Sequence, residues 1–490
     1  ILERYQSTGE HALLTVVTTT LDAMARGGVY DQVGGGFHRY SVDERWHVPH
    51  FEKMSYDNSE LLKNYLHAWQ VTGSALYRRI AEGIVNWVNT TLSDPQGGFY
   101  ASQDADYSLE DDGDYFTWTL EEVRAALPAD DAELVIEHFD IRDHGPMHHN
   151  AAKNVLQVAV PAEELARKRA LPVEEVEKRI EAAKTKMLEA RRQRPTPYVD
   201  KTVYVAWNGM FISAYLEAYR VLGLAACRDL ALRTLDRILQ SAWSDAWGFA
   251  HRCPDAGERV GGEWAGGVLD DQVFMAAALL DAFELTNEKR YFEAAERTMK
   301  LCLEKFWDED SGGFFDRPTG APAIAEGVDV PRKPFQDSPT PAGNPIAALV
   351  LDRLASYTMD RTYAQKAEAT LEAFAGVAEQ YGLFAATYGL AALVHVRHPL
   401  EVVIVGKEAD ARTTELERAA TSAFRFGKAV LTLDPQSVSA EQLPAGLAAT
   451  VRGLGAADGL SRALVCVNGA CQPPVTQPEE LVAAIRGAAK

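Results

Sequence analysis

Four segments of the chain can be laid over one another, each consisting of a helix, a tight turn, a second helix and an aromatic turn. Apolar residues recur in them at spacings of three and four, as at Leu62, Tyr65 and Leu66, which places them on one helical face. A pair of helices with an apolar stripe on each cannot bury that stripe alone, so the pairs must pack against one another. The segments begin at Leu61, Phe211, Phe274 and Ile346.

Long irregular inserts separate the helical pairs at a similar point of each repeat. Solenoid repeats are nearly uniform and joined by short links, whereas inserts of this length inside one domain are usually functional. We therefore predict a mainly α fold in which the hairpins close into a toroid, with the inserts walling one polar cleft. The inserts cover residues 29–51, 103–154, 252–268 and 316–344.

The pattern changes after His398–Pro399, where strand-like runs replace the helical repeats. LEVVIVG, KAVLTL and ALVCVN predict three strands, and a closing helix is expected over Pro478–Ala488. We therefore expect two domains, a helical barrel over residues 1–397 and a small α/β domain over 398–490. Within the barrel, charges at spacings of three and four predict one long exposed helix over Ala162–Arg194.

Charge excludes some classes of partner. The formal net charge of −21 repels phosphate backbones and anionic lipids, and we find no strong local basic patch to offset it. No stretch approaches the ~20 uninterrupted apolar residues of a membrane helix. We therefore expect a water-soluble protein that binds neither nucleic acid nor membrane.

The five cysteines are too few and too scattered for a disulfide framework, which favours a cytoplasmic location. Cys466 and Cys471 are separated by four residues, whereas a thioredoxin-type redox motif has two between its cysteines. A conditional disulfide and two buried thiols both remain open for this pair. Because Ile1 is not a methionine, we also expect that sequence is missing upstream.

The densest group of polar and aromatic residues lies over Gly27–Leu62, between two predicted helices. Aromatic rings beside fixed hydrogen-bonding groups are typical of sugar sites, although single members could merely tie the loop to the barrel. His47, His50 and Glu52 form an H-x-x-H-x-E run that could ligate a metal, but Pro49 disfavours the required helix. We therefore predict no cofactor. The chosen residues are His47, His50 and Glu52 for catalysis and Arg39, Tyr40, Trp46 and Lys53 for substrate binding.

Further candidates lie just after an aromatic turn or just before an inner helix of a repeat. Carboxylates there could line the cleft, although Asp at a helix start is also an ordinary cap, a role that fits Asp271 equally well. The catalytic candidates are Asp104, Asp106 and Asp271, and the substrate-binding candidates are Gln103, Lys201, Trp207, Asn208, Asp337 and Asn344.

Several long runs resemble the spermatogenesis-associated, thioredoxin-domain-containing family over essentially the whole chain. They include GGGFHRYSVDERWHVPHFEKM, GGFYASQDAD, LDDQVFM and CVNGACQPPVTQPEEL. The resemblance implies an upstream thioredoxin-like domain as a partner, with this sequence beginning after it. It also implies an (α/α)6 six-hairpin toroid similar to N-acylglucosamine 2-epimerases, cellobiose 2-epimerases and several glycosidases. Fold likeness does not transfer the reaction.

Three hypotheses about function follow. Epimerases of that toroid use histidines as acid and base beside a carbonyl, so the first is a sugar epimerase or isomerase with His47 or His50 as base and Trp46 and Trp207 stacking on the sugar. The second is a glycoside hydrolase with a carboxylate pair. The third is a non-catalytic recognition or scaffold module for the thioredoxin-like domain. The reserve candidates are His251 and His395 as bases, and Asp270 beside Asp104, Asp106, Asp271 and Asp337 as carboxylates.

Overall fold

The first helix of each hairpin ends at a residue in the left-handed conformation, which stops the helix and lets the chain turn back. In a computed structural model these residues have φ between 59° and 76°. Glycine and asparagine adopt this conformation more readily than other residues, and they occupy three of the four turns. The hairpins predicted from the repeats are therefore confirmed. The residues are Gly73, Gly223, Asn287 and Met359.

The structure describes residues 1–109, 111–255, 258–260, 264–322, 330–407, 410–434, 436, 441, 443–453 and 460–488, so three of the predicted inserts are described only in part. The helices are α1 Leu2–Thr8, α2 His11–Arg26, α3 Ser55–Thr72, α4 Ala75–Trp87, α5 Leu120–Ala126, α6 Ala129–Phe139, α7 Ala162–Arg169, α8 Val173–Arg191, α9 Val205–Leu222, α10 Ala225–Ser241, α11 Leu269–Thr286, α12 Lys289–Lys305, α13 Gly343–Thr358, α14 Arg361–Ala375, α15 Ala386–Arg397, α16 Ala411–Ser422, α17 Ala445–Gly453 and α18 Pro478–Gly487. The strands are β1 Tyr40–Ser41, β2 Pro49–His50, β3 Lys53–Met54, β4 Ser102–Gln103, β5 Val199–Asp200, β6 Trp243–Ser244, β7 Gly248–Phe249, β8 Leu400–Val405, β9 Lys428–Leu433, β10 Arg462–Val467 and β11 Ala470–Cys471.

Two compact units make up the chain. The N-terminal unit consists of residues His11–Asp94 and Phe99–Lys201, and the C-terminal unit consists of Ile1–Glu10, Pro95–Gly98 and Thr202–Lys490. The fold class is the predicted one, mainly α with helical hairpins of the (α/α)6 type followed by an α/β segment. In the described part of the chain, no helix is both long enough and apolar enough to cross a membrane.

The N-terminal unit contains α2, the hairpin α3–α4 and the helices α5 to α8, with a small sheet in the order β3–β4–β5. The single long helix predicted over Ala162–Arg194 is wrong, because the chain forms α7 and α8 there. Ala170 is left-handed with φ of 52°, and Pro172 cannot continue a helix. Nor is this region wholly exposed, since Val176 and Ile180 are buried against Leu134 of α6.

The C-terminal unit contains three hairpins, α9–α10, α11–α12 and α13–α14, followed by α15 and the α/β segment. The three predicted strands and the closing helix are confirmed, in a sheet of order β11–β10–β8–β9. β8 pairs parallel to β9 and antiparallel to β10. One face of this sheet packs Leu400, Val402 and Ile404 against α16 and α18. β8 begins at Leu400, and the domain boundary near residue 398 stays a prediction.

A buried amide at the start of an inner helix holds an aromatic turn in three of the repeats. In α13, Asn344 Oδ1 accepts a hydrogen bond from the Phe314 amide at 2.7 Å, and Asn344 Nδ2 donates to the Phe314 carbonyl at 2.9 Å. The pairing satisfies a backbone donor and acceptor that burial would otherwise leave without partners. The other two clamps join Asn58 to Phe37 and Gln272 to Phe249.

Candidate functional site

A histidine–aspartate pair lies in the C-terminal unit. His251 Nδ1 is 3.0 Å from Asp271 Oδ2. The His251 side chain is 46% exposed, whereas that of Asp271 is fully buried. Because a carboxylate only accepts hydrogen bonds, the pair assigns the proton of a neutral His251 to Nδ1 and leaves Nε2 with a free lone pair.

Asp271 is fixed by the starts of two helices. As the third residue of α11, it accepts the Val268 amide at 2.9 Å, and it also accepts the amide of Ala206 in α9 at 3.0 Å. The cap role considered for Asp271 is thus observed, and its catalytic role stays a prediction. The capping bonds hold the carboxylate, and the carboxylate in turn orients His251.

The backbone brings His251 beside an aromatic pair. His251 follows β7, and its carbonyl accepts the Val205 amide at 3.0 Å, next to a bridge between Tyr204 and Arg252. The Tyr204 ring lies 5.1 Å from the His251 ring and 4.5 Å from the Trp207 ring. The dyad therefore adjoins two rings with which a ligand's apolar face could stack.

Hydrogen bonding, burial and charge shift the pKa values of the groups in and beside this pair. The hydrogen bond that His251 donates to Asp271 raises the pKa of His251 above its ordinary value. Burial, reinforced by the charge of Asp271, raises the pKa of the neighbouring Asp270 to about 7. Asp270 Oδ1 is buried and has no hydrogen-bond partner among the residues that the structure describes. A histidine base after β7 and a protonatable carboxyl at the start of α11 thus occur close together, a combination that is common at catalytic sites.

A second cluster of polar side chains occurs in the N-terminal unit, within the polar-rich segment over Gly27–Leu62. Arg39 donates to Glu52 at 3.1 Å, and Glu52 Oε2 is 3.7 Å from His50 Nε2. The His50 ring stacks on Tyr40 with ring centres 5.2 Å apart. The structure therefore brings four of the predicted residues together: Arg39, Tyr40, His50 and Glu52.

Asp57, which was not selected from the sequence, adjoins this group as the third residue of α3. Burial raises its pKa to about 7, the charge of Arg39 lowers it and that of Glu52 raises it further. Within the described part of the chain, its Oδ2 atom is buried without a hydrogen-bond partner. From the sequence, a carboxylate at the third position of a helix looks like an ordinary helix cap. Its burial and raised pKa are recognised only in the structure.

The predicted carboxylates Asp104 and Asp106 follow β4. Burial, with the charges of Glu52 and Asp200, raises the pKa of Asp104. Asp106 accepts the Gly113 amide at 2.9 Å, and burial raises its pKa as well. Asp104 therefore adjoins the Arg39 group, whereas Asp106 also closes its own loop.

Lys53 lies inside the protein rather than at a ligand surface. Its side chain is fully buried and donates to Asp31 at 2.7 Å, while Arg191 donates to the other oxygen of Asp31 at 2.9 Å. Burial lowers the pKa of Lys53 to about 8, against the opposing effect of Asp31. This burial argues against the predicted contact of Lys53 with a substrate, because the ammonium is already bound to Asp31 and to the Gly35 carbonyl.

Several other predicted binding residues also serve the fold. Gln103 is buried and accepts the Trp87 indole N–H at 3.1 Å. Asn208 and Asn344 are fully buried, so their amides do not face a ligand. Asp337 accepts the amides of Ala342 and Thr387, which ties its loop to α15.

The remaining predicted residues lie apart from these bonds. Trp46 is half-buried with φ of 61°, and Lys201 is exposed with its ammonium 6.0 Å from the Tyr100 ring. His47 is half-buried, with Nε2 3.4 Å from the Val155 carbonyl oxygen. The His47 ring thus contacts a backbone carbonyl, whereas the His50 ring lies near the Glu52 carboxylate. Among the described residues no group of three or more His, Cys, Asp or Glu side chains is arranged to hold a metal ion.

A second histidine–aspartate pair joins α15 to α13. His395 Nδ1 is 2.9 Å from Asp352 Oδ1, and the hydrogen bond raises the pKa of His395. The His395 side chain is only 21% exposed, compared with 46% for His251. His251 is therefore the better placed of the two to meet a ligand.

Fold and site together define a mainly α protein of helical hairpins with a half-exposed histidine–aspartate dyad. No protein-family model matches the chain. It is similar to spermatogenesis-associated protein 20 of Homo sapiens, with 31% identity over 489 residues, 94% of this chain and 61% of that protein. An uncharacterised protein of Caenorhabditis elegans is 30% identical over 392 residues, 75% of this chain and 52% of that protein. The chain thus spans about three-fifths of the mammalian relatives' length.

Solved structures with similar helical architecture have low sequence identity. Cellobiose 2-epimerase from Spirochaeta thermophila superposes with a TM-score of 0.45 and 12% identity, covering 80% of this chain and 81% of that one. A family 76 α-mannanase of Bacteroides thetaiotaomicron gives a TM-score of 0.42 and 12% identity, covering 78% of each chain. At this similarity the chemistry has to be argued from the residues themselves.

Proposed function

We propose that the protein is a carbohydrate isomerase or epimerase in which His251 is the general base. The observation that carries the proposal is the 3.0 Å contact between His251 Nδ1 and the buried Asp271 carboxylate. It leaves Nε2 on a half-exposed ring, next to Tyr204 and Trp207, which supply stacking surfaces for a sugar. The base proposed from sequence thus moves from His47 or His50 to His251.

The proposed reaction needs one proton acceptor and one proton donor. His251 Nε2 would take the proton from the carbon beside the sugar carbonyl, and Asp271 would stabilise the resulting imidazolium. Asp270, with its pKa raised to about 7 by burial, would protonate the carbonyl oxygen as the enediol forms. Returning the proton to the opposite face gives an epimer, and returning it to the neighbouring carbon gives the aldose–ketose isomer.

Proton NMR in heavy water tests this proposal. The purified protein is incubated with aldoses, ketoses and N-acyl amino sugars, and deuterium is followed at the carbon beside the carbonyl. We expect exchange with at least one sugar, and a fall of about 10²–10⁴-fold in its rate for His251→Gln. No exchange with any sugar in the panel would overturn the proposal.

Three matched variants localise the base. His47→Gln and His50→Gln change the histidines proposed from sequence, and His395→Gln changes the other paired histidine. Each should keep its exchange rate within a few-fold of the wild-type rate. If His50→Gln abolished exchange while His251→Gln retained it, the assignment of the base to His251 would be wrong.

A glycoside hydrolase is the second candidate, and Asp57 favours it. Its pKa of about 7 gives a carboxyl that is partly protonated at neutral pH beside the carboxylate Glu52, as an acid and a base of hydrolysis require. A disaccharide panel separates the candidates, because hydrolysis that is lost in Asp57→Asn but retained in His251→Gln supports the second. Binding without turnover in either assay supports the recognition module.

We further propose that the chain belongs to the family of spermatogenesis-associated, thioredoxin-domain-containing proteins. The support is 31% identity spread over 94% of the chain. An upstream thioredoxin-like domain as the partner of this chain is part of the same proposal. Co-purification of the chain with a separately expressed domain from the longer protein would test that partnership, and its failure would remove it.

A further inference from the structure

The α/β segment carries a pair of cysteines at the tip of a hairpin. Asn468 and Gly469 are both left-handed, with φ of 51° and 73°, which suits a two-residue turn between β10 and β11. The register places Cys466 directly opposite Cys471, and the two are joined by a disulfide. Since β10 is also paired with β8 along its whole length, the sheet does not depend on the disulfide.

The two sulfurs differ in accessibility. Cys471 is exposed on β11, the edge strand of the sheet, whereas Cys466 is only 1% exposed. The other three cysteines, Cys227, Cys253 and Cys302, are buried. Burial raises the pKa of Cys227 to about 12, so that thiol is inert at neutral pH. Cys471 is therefore the cysteine that an incoming thiolate can attack.

A buried carboxyl lies next to the protected sulfur. Glu401 on β8 is the direct partner of Cys466 on β10, so the two side chains share one face of the sheet. Glu401 is 5% exposed and accepts a hydrogen bond from the Ser356 hydroxyl of α13. Burial raises the pKa of Glu401 to about 7, the Ser356 bond lowers it and the charge of Glu284 raises it. This carboxyl therefore carries a proton in a large fraction of molecules at neutral pH.

Among the described residues, two helices bring further charged groups toward Glu401. Glu284 of α11 accepts hydrogen bonds from Arg353 and Tyr357 of α13, each at 2.5 Å, so its charge is compensated locally. On the opposite side, the partner of Glu401 in β9 is Ala429, which adds no charge. Glu401 is thus the protonatable side chain that lies directly opposite Cys466 in the register of the sheet.

We propose that Cys466 and Cys471 form a thiol–disulfide exchange site for dithiols, in which Cys471 receives the incoming thiolate and Glu401 protonates Cys466 as it leaves. In the first step a bond forms between the reductant sulfur and Cys471 Sγ, the Cys466–Cys471 bond breaks, and its electron pair goes to Cys466. In the second, the other thiol of the reductant attacks the reductant sulfur of the mixed disulfide and the bond to Cys471 breaks. Cys471 takes its electron pair and the proton of that thiol, and the reductant leaves as a cyclic disulfide. Two electrons pass from the dithiol to the protein, and Glu401 recovers its proton from water.

The rate of exchange with dithiothreitol tests the role of Glu401. The oxidised full chain is mixed with dithiothreitol between pH 5.5 and 9, and the freed thiols are counted by maleimide labelling and mass spectrometry. Rates are divided by the concentration of the attacking thiolate. We expect the wild-type value to fall about tenfold as the pH rises through 7, and Glu401→Gln to be low and flat. Ser356→Ala, which keeps the carboxyl and removes its hydrogen bond, should retain the fall at a higher pH.

Identical normalised profiles for wild type and Glu401→Gln would overturn the role of Glu401. A second measurement does not depend on that variant. With glutathione disulfide, Cys466→Ser should become glutathionylated at Cys471, whereas Cys471→Ser should react at least tenfold more slowly. An oxidised pair that dithiothreitol leaves intact under native conditions, or equal labelling of both variants, would overturn the exchange site itself.

Discussion

The polar-rich segment over residues 27–62 and the pair His251–Asp271 show that a stretch dense in polar residues differs from a place where a buried group meets an exposed one. In the loop, many polar groups are engaged in holding the fold, as when Lys53 and Arg191 both bind Asp31. In the dyad, two residues twenty positions apart meet at 3.0 Å, with one side chain buried and the other half-exposed. A high density of polar residues thus indicates a segment that is held in place by many hydrogen bonds and ion pairs. We expect reactivity instead where a buried group meets an accessible one.

The largest effect on stability should come from the loop side of this comparison. Asp31→Ala would leave two buried cations without their shared partner, so we expect urea unfolding to show a loss of about 3–5 kcal/mol. Arg39→Gln is the matched control, because it breaks an exposed pair in the same loop worth about 0–1 kcal/mol. Equal losses in both variants would contradict the structural role of Asp31.

The amide clamps should give the next largest effect. Asn344→Ala removes three hydrogen bonds and leaves the buried amide and carbonyl of Phe314 without partners. We expect a loss of about 2–4 kcal/mol in the free energy of unfolding, with little change in any catalytic rate. Lys201→Ala, at an exposed position, serves as the control. A variant of Asn344 that kept its stability but lost ligand binding would restore the binding role predicted from sequence.

A change in the dyad should alter the pKa of His251 and the rate of exchange. In Asp271→Asn the carboxylate no longer favours the imidazolium, so the pKa of His251, followed by NMR of the ring protons, should fall toward its ordinary value. The exchange rate proposed above should fall about 10–100-fold. The wild-type rate itself should rise as His251 loses its proton and decline as Asp270 titrates near 7. A rate that is independent of pH between 5 and 9 would separate the dyad from the reaction.

The smallest effect concerns Asp57. Its folded pKa of about 7 lies above the unfolded value, so the folded state binds the proton more tightly and stability decreases as the pH rises from about 4 through 7. Asp57→Asn removes this titration, and we expect it to recover about 1–2 kcal/mol at pH 8 relative to pH 5. Glu44→Gln, which removes an exposed charge from the same loop, should show no such recovery. Parallel pH profiles for wild type and Asp57→Asn would contradict the burial of this carboxyl.

Local patterns were sufficient for the secondary structure but not for the site. The helical hairpins, the three strands and the closing helix follow from periodicities of 3.6 and 2 residues, which any single segment displays. The break between α7 and α8 was missed, although Pro172 signals it, because the charge spacing continues through it. Arg39, Tyr40, His50 and Glu52 were found together, since they are close in the chain and β1 pairs with β2.

The sequence by itself determined the helical repeats, the change to strands after residue 398 and the residue types available for chemistry, because these depend on neighbours within a few turns of chain. Only the tertiary structure decided which polar groups are engaged in holding the fold and which are placed for chemistry. Lys53 and Asn344 became buried supports, while His251 gained Asp271 and Cys466 gained Glu401. Burial and partners arise from packing between distant segments, and together they set both accessibility and pKa.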